Sequence, residues 1–373
     1  MTTSADEIYS KIEELVESST TELEVISPDN AVENFIEYKQ TDVRPQTLIE
    51  CRRKLDHFLD FCSREEIENL NELNGRSIND YRKYRRTESS SQVSSLAPKT
   101  MRDDMYLFRE FVQFLEHIEA VVPSLSEKVE IPKMGPKDGV RDLEIEPERV
   151  DQILTYLNKY EYATRAHVIW LFHSHTGRRP GGLYALDLDD LHLDIEDAYI
   201  ELRHRPGETE LKNGELGETE IYITDSVAQV FRDYIKNNRI EVTTENDRKP
   251  FLTSSHGRLS KTTMRKDVYR FTRPCVIQGE CPHDRDIESC EALESGDKAS
   301  KCPSSLPPYA LRHGYITCKL RDGAPSELIS GRCDVSEVVI EKHYDERTET
   351  EKRELRKEVF EAISKETNGE GYL

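Results

Sequence analysis

Apolar residues in this chain recur at helix spacing far more often than they alternate, and that limits it to a mainly helical protein. Between Thr47 and Cys62 the positions Leu48, Cys51, Leu55, Phe58, Leu59 and Cys62 fall on one helical face. A second stripe runs through Met101, Met105, Phe108, Val112 and Leu115 in "APKTMRDDMYLFREFVQFLEHI". Between them "SINDY" opens another helix, with Ser77 as the expected N-cap. Strand alternation is confined to "AYIELR" and "TEIYIT", joined by a charged, Gly-containing connection. The expected fold is therefore mainly α with a small β-sheet. Proline, glycine and charge concentrate in "IPKMGPKDGVRD", residues 131–142, which reads as a linker. It separates an N-terminal extension (1–27) and a helical domain (28–130) from a mixed domain (143–373).

With 373 residues the chain is long enough for two separate cores. A mean hydropathy of -0.72 and 34% charged residues leave no apolar run of the roughly 18 residues a membrane span needs. The start, "MTTSADEIYSKIEELVESS", has neither a basic nor an apolar signal region, so a cytoplasmic location and no membrane partner are expected. The net charge of -21 opposes phosphate binding in bulk, since that affinity comes from Lys and Arg. Net charge does not fix the fold, however, and local reversals of sign matter more. One gathers Arg82, Lys83, Arg85 and Arg86, followed past a Ser-rich loop by Lys99 and Arg102. The other, "HGRLSKTTMRKDVYRFTRP", sets Arg258, Lys261, Arg265, Lys266, Arg270 and Arg273 against the lone acid Asp267, on a helix starting near Ser260. Both are candidate DNA contacts, and a solvated helix face or loop is the alternative for each.

Four segments of the second half share an order and separation. They are "HTGRRPGGLYALDLDDL", the hairpin "ETELKNGELGETEIYI", "LPPYALRHGYITCKLRDG" and "ISGRCDVSEVVIEKHYDERT". Together they resemble the boxes of the tyrosine recombinases, the phage-integrase family, across about residues 28 to 350. The "HYDERT" wording looks particularly like the halophilic-archaeal branch, in keeping with the acidic composition. The resemblance implies a helical SAM-like core-binding domain for 28–130 and a mixed α/β catalytic domain for 143–373. By the same match Arg179, rather than Arg178, is the first clamp arginine, Arg312 the second and Tyr344 the nucleophile. Lys212 stands for the hairpin lysine, Tyr309 where His or Lys is usual, and Arg332 where His or Trp is usual. Gly182 replaces a glutamate that braces the site in the family.

These residue types suit metal-free and ATP-independent phosphodiester cleavage. Two guanidiniums grip a phosphate through paired hydrogen bonds and stay charged. They also favour a phenolate nucleophile, while a lysine can protonate the leaving 5′-oxygen. A 3′-phosphotyrosyl ester keeps the bond energy, so a second strand can reseal it. Each residue also has an ordinary structural role available. Arg179 could cap a helix or pair with Asp187 or Asp189, Arg312 could bridge helices, and Tyr344 could be packing. Gly182, Tyr309 and Arg332 leave open a regulatory or architectural DNA-binding protein that has lost cleavage.

No cofactor is expected for catalysis. Cys275, Cys281, His283, Cys290 and Cys302 cluster in an insertion (275–302) with little apolar content. A structural Zn²⁺ is the candidate staple, though the tight C-x₂-C knuckle is missing and reduced thiols are the alternative. Double-stranded DNA is the expected partner, and the resemblance implies a homotetramer on two duplexes. The stripe Leu355, Val359, Phe360 and Ile363 could dock on a neighbouring subunit or on its own domain.

Overall fold

The computed structural model describes residues 23–89, 94–135, 143, 145–194, 196–345 and 347–366. Most of the N-terminal extension, part of the Ser-rich loop and most of the linker lie outside the described residues. The chain divides into two compact units, Met1–Arg141 and Asp142–Leu373.

The first unit is helical: α1 (Pro28–Lys39), α2 (Pro45–Arg64), α3 (Gly75–Thr87) and α4 (Pro98–His117). Three of the four begin on proline, whose missing N–H falls where a helix has no acceptor to offer. The exception is α3, which starts two residues before the expected cap. Asn74, not Ser77, caps it, its side-chain oxygen accepting from the Arg76 and Ser77 amides at 2.9 and 3.3 Å. Asn74 wins because it is already extended and two donors reach its one oxygen.

Cys51, Leu55, Phe58 and Cys62 of α2 and the whole expected stripe of α4 are buried, while Leu48 and Leu59 sit at the edge. Aromatic rings fill the centre, with Tyr81 and Phe108 at 4.5 Å and Phe58 at 5.1 Å from Phe108. One polar pair lies within this unit. Arg85 and Asp104 are both buried and meet at 2.7 Å, with Lys54 at 3.3 Å from the same carboxylate. Arg85 is therefore not available to DNA, contrary to expectation. It falls on the inward face of α3 with Ile78 and Tyr81, and burial of its charge requires the carboxylate.

The second unit is built around α6 (Arg165–Thr176), which is buried nearly all round, as a helix with apolar residues on every face must be. Packed on it are α5 (Pro147–Tyr160), α8 (Asp225–Asn237), α9 (Lys261–Phe271) and α12 (Pro308–Arg321), with the short α7 (Pro180–Ala185) following it. The expected strand pair is β2 (Tyr199–Leu202) against β3 (Thr219–Tyr222), antiparallel, with Ile200 opposite Ile221. A third strand, β1 (Leu191–His192), adds to the free edge of β2 from a segment without the alternation of a strand. A separate two-residue hairpin, β4 (Thr253–Ser254) and β5 (Gly257–Arg258), precedes α9. Then come α10 (Pro274–Gln278), α11 (Glu291–Glu294), α13 (Ser326–Cys333), α14 (Glu337–His343) and α15 (Glu349–Glu366). Ile316, Leu320, Ile329, Cys333, Val335, Ile340 and Tyr344 form a small core joining α12, α13 and α14. No described helix is long and apolar enough to cross a membrane.

Asp104→Ala leaves Arg85 charged and unpaired in the first unit's core. A loss of about 3–5 kcal/mol is expected in urea denaturation, whereas Arg85→Met combined with Asp104→Leu should recover most of it.

Candidate active site

The site begins with a turn. α6 ends at Gly177, whose φ of 61° is left-handed and whose amide closes on the His173 carbonyl at 3.1 Å. A Cβ there would lie 2.4 Å from the Tyr315 ring and 2.9 Å from Cys333 Sγ, so only glycine lets α12 and α13 approach this closely. The turn delivers Arg178 and Arg179 in succession, and α7 opens immediately on Pro180.

The two arginines go different ways. Arg178 is buried, donating to the Gly217 carbonyl at 3.2 Å and the Gly331 carbonyl at 3.3 Å. Burial lowers its pKa to about 10 despite nearby Asp334. Arg179 stays 30% exposed and donates through Nη1 to the Asp334 carbonyl and, at 2.8 Å, to the Asp334 carboxylate. It pairs with neither Asp187 nor Asp189. Those acids belong elsewhere, Asp187 taking Arg248 and Arg258.

Arg312, in the second turn of α12, is buried. It donates to the carbonyls of Gly177 (2.9 Å), Cys333 and Asp334 (3.3 Å) and, among the described residues, forms no interhelix ion pair. Tyr309, one turn earlier on α12, is half exposed, and its hydroxyl meets that of Tyr344 at 2.9 Å. Tyr344 closes α14 as its C-cap, its amide donating to the Ile340 carbonyl at 2.9 Å, and is 3% exposed. His313 lies beside it, ring centres 4.9 Å apart, and is anchored on the His343 carbonyl. Burial and the bond to Tyr344 push the Tyr309 phenol up to about 12, and Arg312 and Arg179 pull the other way. Arg179, Arg312, Tyr309 and Tyr344 thus form one cluster.

Lys212 is exposed on the β2–β3 connection. That connection reaches the cluster through its neighbours: Asn213 donates to Asp334 at 2.6 Å, and Gly217 accepts from Arg178. Arg332 does not join the cluster. Its guanidinium donates to Tyr315 Oη (2.8 Å) and to the carbonyls of His175 (2.8 Å) and Tyr222 (3.0 Å), which clasp α13 to α6 and β3. The side chain this segment does send into the site is Asp334, two residues on, in a left-handed conformation that ends α13. Sequence reading misses it. The signal available is its shorter spacing to Tyr344.

The expected basic surface divides. Arg273 is buried and holds the Arg270 and Ala292 carbonyls, and Arg258 is bound to Asp187 and the carbonyls of Tyr184 and Leu186. Both are structural, because each follows or ends an element that must be tied down. Lys261 lies 4.8 Å over the Tyr184 ring, and Arg265 is exposed on α9. Lys266 pairs with Asp297 and Arg270 with Glu161. In the first unit Arg86 is exposed, Arg82 pairs with Glu130, Lys83 with Asp80 and Lys99 with Asp103, and Arg102 stacks on Tyr106.

Burial raises the Cys275 thiol, and Cys302, Cys281 and Cys290 of the same insertion raise it further. All four thiols are free, and among the described residues no three His, Cys, Asp or Glu side chains converge as a metal site. His283 instead shares a hydrogen bond with Ser304 at 2.8 Å. Within the insertion Ala292, Ala299 and Cys302 are buried, and Arg149 and Arg273 are bonded to carbonyls in and beside it.

No family model and no curated protein matches the sequence. Solved structures do match in fold. The Tn1549 transposon integrase, in complex with a circular intermediate DNA, aligns with a TM-score of 0.62 at 13% identity, over 90% of this chain and 99% of that one. A lambda integrase dimer bound to a COC′ core site aligns at 0.57 and 11% identity, over 92% and 86%. The chain has the fold of the tyrosine recombinases, mainly helical with a small antiparallel sheet.

His173, whose Nδ1 faces the Arg178 carbonyl at 3.1 Å, and His167 are both depressed to about 4 by burial. The unfolded chain therefore binds more protons between their unfolded value of 6.5 and 4. Stability from this source is full above that window and falls as the pH drops through it. Urea midpoints measured across the window should show that decline, and His173→Gln should flatten it.

Proposed function

We propose that this chain is a site-specific recombinase that cuts and rejoins double-stranded DNA through Tyr344. The observation that carries this reading is the joining of the Tyr344 and Tyr309 hydroxyls, 2.9 Å apart, to the electrostatic field of Arg179 and Arg312. Four side chains from three distant segments meet on a fold whose solved relatives are integrases held on DNA.

Arg179 and Arg312 would hold the non-bridging oxygens of the scissile phosphate and stabilise the charge that grows on them. Tyr344 Oη attacks phosphorus as the bond to the 5′-oxygen breaks, giving a 3′-phosphotyrosyl ester and a free 5′-hydroxyl. Lys212 gives its proton to the departing oxygen. Tyr309 either relays the Tyr344 proton or donates to a phosphate oxygen, since at its raised pKa it remains a donor throughout the neutral range. Attack by the 5′-hydroxyl of another strand reverses the steps and returns the phenol. The helical first unit would supply further grip on the duplex. Exposed Val359 and Phe360 on α15 suit assembly as a tetramer on two duplexes, while Leu355 packs against the turn at Gly323 of its own chain. The side chain of Ile363 lies outside the described residues. The net charge of -21 suits a high-salt setting.

A second reading is a DNA-binding regulator without cleavage. It is favoured by the burial of Tyr344 and the diversion of Arg332 into structural contacts. Nicked, fragmented genomic DNA from the source organism separates the two. Recombination predicts DNA covalently attached to the wild-type chain after denaturation and none on Tyr344→Phe. Binding with no covalent species would support the regulator. Lys212→Ala should slow attachment by about 10²-fold or more, as loss of a general acid does.

For binding, Lys261→Ala and Arg265→Ala should each reduce the slope of log affinity against log salt by about 0.9 for every phosphate no longer neutralised. Arg85→Ala, Arg258→Ala and Arg273→Ala should instead lower the unfolding midpoint, because those guanidiniums face inward.

A further inference from the structure

The Asp334 carboxylate is 12% exposed and sits among three guanidiniums without being any part of the proposed chemistry. Its Oδ2 accepts from Arg179 Nη1 at 2.8 Å and lies 3.8 Å from Arg178 Nη1, while its Oδ1 accepts from Asn213 Nδ2 at 2.6 Å. Its own carbonyl takes a second bond from Arg179 Nη1 and one from Arg312 Nη2. Among the described residues no bond reaches Nε or Nη2 of Arg179, which leaves that edge of the fork open. A carboxylate acting on Nη1 alone fixes the plane of the guanidinium while keeping a bidentate edge for a phosphate.

We infer that Asp334 is a positioning residue that locks Arg179 in phosphate-binding orientation and couples it to the β2–β3 connection carrying Lys212. This rests on the reading of Arg179 as a phosphate ligand. One oxygen orders the clamp and the other holds Asn213, next in the chain to Lys212. The anion clamp and the loop with the general acid are therefore set by one side chain. Asn at a left-handed position is as well tolerated as Asp, so Asp334→Asn removes the charge and leaves the φ of 55° undisturbed.

The test uses the full chain with arginine side chains labelled with ¹⁵N, the Arg179 signal being assigned by its absence in Arg179→Lys. Rotation of the Arg179 guanidinium should be slow in the wild type and fast in Asp334→Asn, with the unfolding midpoint unchanged. On DNA trapped by the wild type, Asp334→Asn should form covalent product on the order of a hundredfold more slowly, as misplaced catalytic groups do, at unaltered DNA affinity. Asn213→Ala should slow the same step, and the double variant should be no slower than Asp334→Asn alone. An Arg179 that stays immobile in Asp334→Asn would overturn the inference. So would tighter DNA binding with faster product, which would mark the carboxylate as a competitor of phosphate. If the wild type forms no covalent product while Arg179 loosens in Asp334→Asn, the recombination reading fails and the bracing stands.

Discussion

Buried guanidiniums held by backbone carbonyls organise this site. A cation removed from water is costly unless its donors are used, and Arg312 and Arg178 direct their terminal nitrogens to main-chain oxygens. Arg312 ties the end of α6 at Gly177 to residues 333 and 334, and Arg178 ties Gly217 of the hairpin connection to Gly331 of α13. Carbonyls serve this purpose better than carboxylates would. They satisfy the hydrogen bonds without cancelling the charge, so the cluster keeps a positive field. Among the described residues the carboxylate set against it is that of Asp334, at Arg179, which is partly open to solvent.

That field acts on a pair of phenols, not a single one. A hydrogen bond between two hydroxyls gives one oxygen a donor and the other an acceptor, so the Tyr344 phenol is not an isolated group. Tyr309 is anchored one helical turn from Arg312, which fixes the distance between phenol and clamp through the rigidity of α12. Tyr344 hangs from the end of the short α14, in a segment joined to the rest by the small core around Ile340. The oxygen that would move to reach phosphorus is therefore on the more lightly held element. The oxygen that would stay is on the more firmly held one.

Much of this is legible in the sequence, and the failures have physical causes. Helix periodicity locates α2 and α4, and alternation the strand pair, because those faces are buried on one side only, and that is what periodicity records. The grouping of Arg179, Arg312, Tyr309 and Tyr344 is accessible only through the order of the motifs, since no spacing in the chain states that residues 179 and 344 meet. Inward-facing Arg85, Arg258 and Arg273 read as surface charge. Arginine's long stem lets its head find a carboxylate or carbonyl inside, and composition cannot tell that from exposure. Arg332 stands out over Asp334 because an acid beside arginines read as phosphate ligands looks wrong until its partners are known. For the cysteine insertion, composition counts the few apolar residues but not the arginine-to-carbonyl bonds that also hold it.

On the proposed reading the remaining surface cations would let an acidic chain engage a polyanion. Lys83, Lys99, Lys266 and Arg270 are each held by an acid, and those pairs are at least partly exposed. Exposed pairs of this kind contribute about 0–1 kcal/mol, so a phosphate can replace the carboxylate at little cost. Loose ion pairs then lower the attraction to any passing duplex without abolishing it. Discrimination is left to contacts that cannot rearrange. On the proposed reading those are the guanidiniums fixed by carbonyls, and their geometry, more than the count of positive charges, would decide whether a phosphate is held in line with a phenol.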